Sequence, residues 1–140
     1  MGITSRLSGR SILVTEDEIL IALELSELFE AQGAKVSIAS TPAHALHLVE
    51  QLVFSAAVLD CGPGESNDAE LCRALGVYGV PFMFYTGYDD LDGRPSGAPV
   101  VTKPASGLVL VDTVMQLLNV PTPRHLEGLA IKRREYAGQF

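Results

Sequence analysis

Short apolar runs that alternate with longer stretches of helical composition constrain the fold of this chain most strongly. Five runs of three to six residues predict strands, at 11–15, 35–39, 56–60, 81–86 and 100–102, and the run at 35–39 is the one that alternates between polar and apolar residues. The stretches between and after them predict helices, at 18–32, from 41 onward, at 68–75 and at 106–119. Because parallel neighbours need crossover connections, this alternation predicts an α/β fold with a doubly wound, five-stranded parallel sheet.

The junctions between these segments carry their own signals. Gly33 follows the first helix as a C-cap, and Thr41-Pro42 opens the second helix with an N-cap and a proline at the first helical position. Thr15 and Glu18 have the spacing of a capping box, so the acids beside them could simply start a helix. The connection at 87–99 holds three glycines and two prolines, which predicts that the helix between the fourth and fifth strands, the fourth helix of a five-stranded sheet of this kind, is short or absent.

The length of 140 residues fits one domain, which we place at 9–120. Residues 1–8 form an N-terminal extension that lacks the apolar segment of a secretion signal. Residues 121–140 form a tail with four basic and two acidic residues, whereas the whole chain has a net charge of −7. The tail could form a short helix, and we interpret it either as a frayed or docked end or as a partner-binding element.

Charge and composition exclude several classes of function. An acidic chain repels the phosphates of DNA and RNA, and no apolar run approaches the roughly 18 residues of a membrane span. Two cysteines, Cys61 and Cys72, are too few for a disulfide scaffold and lack the spacing of metal ligands. We therefore expect a cytoplasmic protein that binds neither DNA nor a membrane.

Polar residues stand at the ends of four of the predicted strands. Glu16 and Asp17 follow the first strand, Asp60 ends the third, Thr86 ends the fourth and Lys103 follows the fifth. In open parallel sheets, ligands bind outside the carboxyl ends of the strands. The sequence therefore predicts that three carboxylates, one hydroxyl and one ammonium gather at one edge of the sheet.

This set of side chains favours phosphoryl chemistry. Three neighbouring carboxylates repel one another and attract a cation, and oxygen ligands suit Mg²⁺. A carboxylate can also act as a nucleophile and form an acyl phosphate, while Lys103 and Thr86 hold the remaining oxygens. Taken singly, each residue could instead serve a helix start, a turn or a strand exit. Their joint placement on successive strand ends favours a functional site.

With these residues, the sequence resembles the receiver domains of response regulators over about 9–120. The resemblance lies in Glu16-Asp17 after ILVT, Asp60 after AAVL, Thr86-Gly87 after FMFY, and Lys103-Pro104. It implies a flavodoxin-like sheet in which Asp60 accepts a phosphoryl group, Thr86 is the switch hydroxyl and Lys103 pairs with the phosphoryl group. It also implies that Mg²⁺ binds to Glu16, Asp17, Asp60 and the backbone carbonyl of Gly62, and that the Lys103–Pro104 bond can be cis.

The sequence also departs from the usual pattern of this family. CGPGESN follows the acceptor where Met-Pro is common, and Val100 stands where many members have an aromatic switch residue. The run from Phe84 to Tyr88 resembles the FAT GUY subgroup of single-domain receivers, except that Tyr85 replaces its alanine. Tyr88 is a candidate substitute for the missing aromatic residue.

The resemblance implies a phosphorylation-switched, single-domain response regulator of a two-component system. A histidine kinase or phosphotransfer protein would be its partner, and its only catalysis would be its own phosphotransfer and autodephosphorylation. The signature of haloacid dehalogenases is missing around Asp60, which argues against a phosphohydrolase. Apolar residues on more than one side of the first and last helices make either helix a candidate homodimer or kinase contact. The alternative is a degenerate pseudo-receiver that binds proteins without phosphorylation.

Overall fold

A computed structural model describes residues 6–60, 67–87 and 97–119, with the backbone alone at positions 67 and 68. Strands and helices alternate in the described residues as the sequence predicts. The elements are β1 (Ser11–Thr15), α1 (Ile19–Ala31), β2 (Lys35–Ala39), α2 (Pro42–Gln51), β3 (Ala56–Leu59), α3 (Asn67–Val77), β4 (Phe82–Thr86), β5 (Val100–Thr102) and α4 (Gly107–Asn119). Most of their ends fall within one or two residues of the predicted bounds.

The five strands form one parallel sheet in the order β2-β1-β3-β4-β5. The chain first adds β2 on one side of β1 and then crosses to β3 on the other side, so the direction of winding reverses between β1 and β3. In such sheets this reversal opens a crevice at the carboxyl ends of the strands. The prediction of a flavodoxin-like, doubly wound sheet is confirmed.

Side chains that alternate along the strands build a core on each face of the sheet. On β1, Ile12 and Val14 belong to a buried cluster with residues of α1 and α4, whereas Leu13 belongs to a second cluster with residues of α2 and α3. On β4, Tyr85 joins the first cluster and Phe84 joins the second. Because helices cover both faces of the sheet, a strand such as β1 can be apolar at consecutive positions.

The start of α1 differs from the capping-box interpretation. Glu18 is the N-cap residue and makes no side-chain capping bond, while Thr15 stays in β1. The Glu18 N–H donates instead to Oε1 of Glu16, at 3.1 Å. The other two predicted caps are confirmed. Gly33 follows α1 with a φ of +95°, and Thr41 Oγ1 accepts a hydrogen bond from the His44 N–H at 3.1 Å.

The segment before β1 packs against the domain. Leu7 is completely buried in the α1/α4 cluster, and its N–H donates to the Gln32 carbonyl at 2.8 Å. A side chain at Gly33 would lie 3.0 Å from the Ser8 Cα, so glycine allows this close approach. The rest of the predicted N-terminal extension, 1–5, and the predicted tail at 121–140 lie outside the described residues.

The connection between β4 and β5 falls largely outside the described part of the chain. Residues 88–96 belong to it, so the helix between β4 and β5 that the sequence predicts to be short or absent lies outside the described residues. Gly87 and residues 97–99, which are described, contain no helix. Among the helices of the described residues, none is both long enough and apolar enough to cross a membrane.

Candidate functional site

Backbone hydrogen bonds place the predicted site residues side by side at the carboxyl edge of the sheet. The Asp60 N–H donates to the Thr15 carbonyl at 3.0 Å, and the Lys103 N–H donates to the Thr86 carbonyl at 2.8 Å. The Thr15 hydroxyl oxygen also accepts from the Asp60 N–H, at 3.3 Å. These bonds continue the backbone hydrogen bonding between neighbouring strands by one residue. The first residues beyond β1, β3 and β5 therefore lie at the same edge of the sheet.

Three carboxylates meet at this edge. Glu16, Asp17 and Asp60 each offer one oxygen atom, and these oxygens all lie within 4.8 Å of one another. Their environments differ, because Glu16 is buried, Asp60 is partly buried and Asp17 is exposed. A cluster of hard oxygen donors that is open to solvent on one side fits Mg²⁺, which binds a few carboxylates and keeps several waters.

Lys103 joins the carboxylates as their cationic partner. Its Nζ lies 2.7 Å from Oε2 of Glu16 and 3.4 Å from Oδ1 of Asp60. The Lys103 side chain is 17% exposed and that of Glu16 is 1% exposed. Both oxygens of Glu16 are therefore engaged, one by the ammonium and the other by the Glu18 N–H. The buried Glu16 carboxylate fixes the ammonium beside Asp60.

Burial and neighbouring charges shift the pKa values of Glu16 and Lys103. Burial raises the pKa of the Glu16 carboxyl above its ordinary 4.5, and the charge of Asp60 acts in the same direction. Hydrogen bonds from Lys103 and from the Glu18 N–H oppose that rise only in part. Burial alone would lower the pKa of Lys103, but its bond to Glu16 and the two nearby carboxylates leave that pKa raised. Lys103 is therefore cationic at neutral pH.

The remaining predicted residues divide into those that the structure places and those that it leaves undescribed. Thr86 is fully buried at the end of β4, opposite Thr102 of β5 and bonded through its carbonyl to Lys103. The Lys103–Pro104 peptide bond is cis, as the resemblance implied. The backbone carbonyl of Gly62 and the side chain of Tyr88 lie outside the described residues.

Two features of the site are contacts that the sequence does not predict. The first is the unequal role of the acidic pair, since Glu16 turns inward to Lys103 while Asp17 stays exposed. The second is Tyr85, whose ring lies beside the Lys103 ammonium and whose hydroxyl accepts a hydrogen bond from the Ala105 N–H. The only sequence signal for Tyr85 was its departure from the small residue of the FAT GUY pattern.

The fold and its acidic edge define a flavodoxin-like α/β domain. Similarity to solved structures shows to which family within that class the chain belongs. No protein-family model and no curated protein matches the chain. The receiver domain of the response regulator PhyR from Erythrobacter litoralis is 30% identical over 83% of this chain and 97% of that chain, with a TM-score of 0.70. The chain belongs to the receiver-domain family of response regulators.

Two further structures extend this comparison. PhyR from Brucella abortus is 28% identical over 84% of this chain, with a TM-score of 0.70. The match covers 51% of that protein, so this chain spans about half its length. The receiver domain of the sensor histidine kinase PA1611 from Pseudomonas aeruginosa is 18% identical over 81% of this chain and 100% of that chain, with a TM-score of 0.69, and holds a magnesium ion in its active-site cleft. At that identity the similarity shows the shared fold.

Proposed function

We propose that this receiver domain is a phosphorylation-controlled signalling switch that accepts a phosphoryl group on Asp60. The observation that supports the proposal best is the contact of one ammonium, Lys103, with both Glu16 and Asp60 in a cluster of three carboxylates. This arrangement supplies a nucleophilic carboxylate, a positive charge beside it and oxygen donors for a divalent cation. The chain would catalyse only its own phosphorylation and dephosphorylation.

The proposed donor is a phosphohistidine of a histidine kinase or a phosphotransfer protein. An oxygen of Asp60 attacks the phosphorus, so that a P–O bond forms while the P–N bond breaks and its electron pair returns to the imidazole. Asp60 suits this role because its side chain is partly exposed beyond the end of β3. Lys103 lies 3.4 Å from Asp60 Oδ1 and can pair with the oxygens of the transferred group.

Glu16, Asp17 and Asp60 are the proposed ligands of Mg²⁺, together with the Gly62 carbonyl that the resemblance implies. The magnesium in the cleft of the Pseudomonas receiver domain supports this assignment. When bound, Mg²⁺ would offset the negative charge of the phosphoryl oxygens. Glu16 contributes to this site while it also holds Lys103, which explains why a carboxylate is kept in a buried position.

The proposed conformational response begins at Thr86. This residue ends β4, is fully buried and is joined through its backbone to Lys103. A phosphoryl group on Asp60 adds charged oxygens to which the Thr86 hydroxyl can donate. Gly87 follows directly and offers little steric resistance to a change of backbone direction.

Exposed apolar residues beside the site are the proposed contact for the phosphodonor protein. Ile19 and Leu20 are 65% and 74% exposed, and they lie in the first turn of α1, just after Asp17. Leu108 and Val109 are exposed in the first turn of α4. Helices that follow β1 and β5 begin at the edge that carries Asp60. A cytoplasmic location is part of this proposal, and DNA is not among the proposed partners because the chain is acidic.

The proposal is tested with the purified protein, acetyl phosphate and Mg²⁺. We expect intact-protein mass spectrometry to show one added phosphoryl group in the wild type and none in Asp60→Asn. Asp112→Asn is the matched control, because Asp112 pairs with Arg6 away from the acidic edge, and it should be phosphorylated like the wild type.

Other outcomes decide between this proposal and its alternative. A folded wild type that takes up no phosphoryl group, from acetyl phosphate or from a panel of histidine kinases, would favour the degenerate pseudo-receiver. Modification that persists in Asp60→Asn would remove Asp60 as the acceptor.

For the contact surface, Leu20→Asp should slow transfer from a kinase but not from acetyl phosphate. A monomer–dimer shift in that variant, measured by sedimentation, would assign the surface to self-association instead.

A further inference from the structure

Tyr85 occupies a position from which it can act on Lys103. It is the penultimate residue of β4, it lies opposite Val101 of β5, and it is only 8% exposed. The side chain belongs to the cluster between the sheet and helices α1 and α4. The ring therefore lies at the end of this core that is nearest to the carboxyl edge of the sheet, where the site residues are.

Two different parts of the Tyr85 side chain contact the segment after β5. The ring centroid lies 5.5 Å from Nζ of Lys103, within the range of a cation–π contact. The hydroxyl oxygen accepts a hydrogen bond from the Ala105 N–H at 3.3 Å. One rigid side chain of β4 thus contacts two residues that flank Pro104.

Lys103 needs such support because its side chain is long and flexible. A lysine ammonium on four rotatable bonds loses considerable rotamer freedom when it is held in one geometry. Glu16 and Asp60 attract the ammonium from the acidic edge, at 2.7 and 3.4 Å. The face of the Tyr85 ring adds a third contact and so restricts how far the ammonium can turn away from the two carboxylates.

We propose that Tyr85 is a positioning residue for phosphorylation at Asp60, its ring holding the Lys103 ammonium and its hydroxyl fixing the backbone after Lys103 to β4. This inference rests on the proposed function. Tyr85 itself touches no phosphoryl group and transfers no proton. It acts through Lys103, whose charge must stand beside Asp60 when the phosphoryl group arrives.

The test compares Tyr85→Phe, which keeps the ring and removes the hydroxyl, with Tyr85→Leu, which removes both. Tyr78→Phe is the matched control, because Tyr78 packs against the opposite core cluster. The first measurement uses nuclear magnetic resonance without Mg²⁺ or phosphodonor, and therefore does not depend on the proposed function. The ring-current shift of the Lys103 Cε protons should persist in Tyr85→Phe and disappear in Tyr85→Leu. Exchange of the Ala105 amide should accelerate in both.

The second measurement is the rate of phosphorylation by acetyl phosphate at saturating Mg²⁺. We expect a decrease of about tenfold in Tyr85→Leu, largely rescued in Tyr85→Phe, because the ring contact is retained there. The dissociation constant for Mg²⁺ should stay within about twofold of the wild type, because Tyr85 acts through Lys103 rather than through the carboxylates. A general loss of structure would change the rate and the Mg²⁺ affinity together.

The outcomes separate this inference from the proposed function. A wild-type rate in folded Tyr85→Leu, or an unchanged Lys103 shift in that variant, would overturn the role of Tyr85 while leaving Asp60 as the acceptor. If Tyr85→Leu does not fold, an Ala105 amide that exchanges at the wild-type rate in Tyr85→Phe overturns the inference. If the wild type itself takes up no phosphoryl group, the proposed function fails and the positioning role in phosphorylation fails with it, whatever the resonance data show.

Discussion

Two ion pairs of this receiver domain have the same nitrogen–oxygen distance, 2.7 Å, in very different surroundings. Arg6 and Asp112 meet at the surface, where their side chains are 31% and 46% exposed. Lys103 and Glu16 meet at the carboxyl edge of the sheet, where the Glu16 side chain is almost completely buried. The nitrogen–oxygen distance is the same in both pairs, whereas the access of water differs.

That difference determines what each pair can do. Water and salt screen the surface pair, which ties the segment before β1 to α4 and contributes little free energy. In the buried pair, the loss of hydration makes each charge depend on the other. Charges held in place with little water around them are also those that act most strongly on a reacting group. Burial therefore affects both the stability and the chemistry of an ion pair.

Removing the cation of the buried pair should change the stability of the domain most. Lys103→Met should lower the free energy of unfolding by about 3 kcal/mol at pH 7, because Glu16 then remains buried without its ammonium. Urea unfolding in the presence of a chelator measures this change. Lys35→Met removes an exposed lysine of β2 and is the control, with an expected change below about 0.5 kcal/mol. Equal stability of the two variants would show that the buried pair does not stabilise the fold.

Mg²⁺ should raise the free energy of unfolding by binding to the carboxylates around the buried pair, and the surface pair should play no part in this effect. At a free concentration roughly ten times Kd, binding to the native state alone raises the free energy of unfolding by about 1.4 kcal/mol. Asp17→Asn should lose most of this gain, because Asp17 is one of the three clustered carboxylates. Asp112→Asn should keep it. If Mg²⁺ stabilises Asp17→Asn as much as the wild type, the ion binds elsewhere.

The contribution of the buried pair to the free energy of unfolding should depend on pH. The pKa of Glu16 is raised in the folded state, so the native protein binds this proton more tightly than the unfolded chain does. Its contribution to stability is therefore complete below pH 4.5 and is lost as the pH rises through the folded-state pKa. Urea unfolding without Mg²⁺ should show this loss in the wild type and not in Glu16→Gln. Parallel pH profiles of the two proteins would contradict this role of Glu16.

Removing either partner of the surface pair should change the stability of the domain least. Arg6→Gln should change the free energy of unfolding by less than about 0.5 kcal/mol, and added salt should abolish the difference. Asp112→Asn should behave in the same way, and the double variant should resemble either single one. A loss above 2 kcal/mol in either variant would mean that burial does not separate the two pairs.

Much of this organisation follows from local sequence patterns. Apolar runs of strand length, separated by helical stretches, are sufficient to predict five parallel strands because parallel neighbours need crossovers. The caps at Gly33 and Thr41 depend on the conformational freedom of glycine and on one short hydrogen bond, and both were predictable. The placement of Glu16, Asp60 and Lys103 at one edge follows from parallel strands that all end there.

Contacts between residues distant in sequence were not predictable in this way. Glu16 and Asp17 are adjacent acids of similar chemistry, and no local pattern shows that Glu16 turns inward to Lys103, 87 positions further along the chain. The burial of Leu7 likewise depends on α1 and α4, which come later in the sequence. The capping-box interpretation of Thr15 was wrong because the strand continues through that residue.

The alternation of strands and helices and the chemistry of the residues at the strand ends follow from the amino-acid sequence alone. Which of those residues are shielded from water, and which partner each one meets, depends on how the elements pack together. Tyr85 shows the difference most clearly, since its place on β4 is local but its contacts with Lys103 and Ala105 depend on the pairing of β4 with β5. Periodicity is a property of neighbouring residues, whereas burial and charge pairing arise only when distant segments pack together.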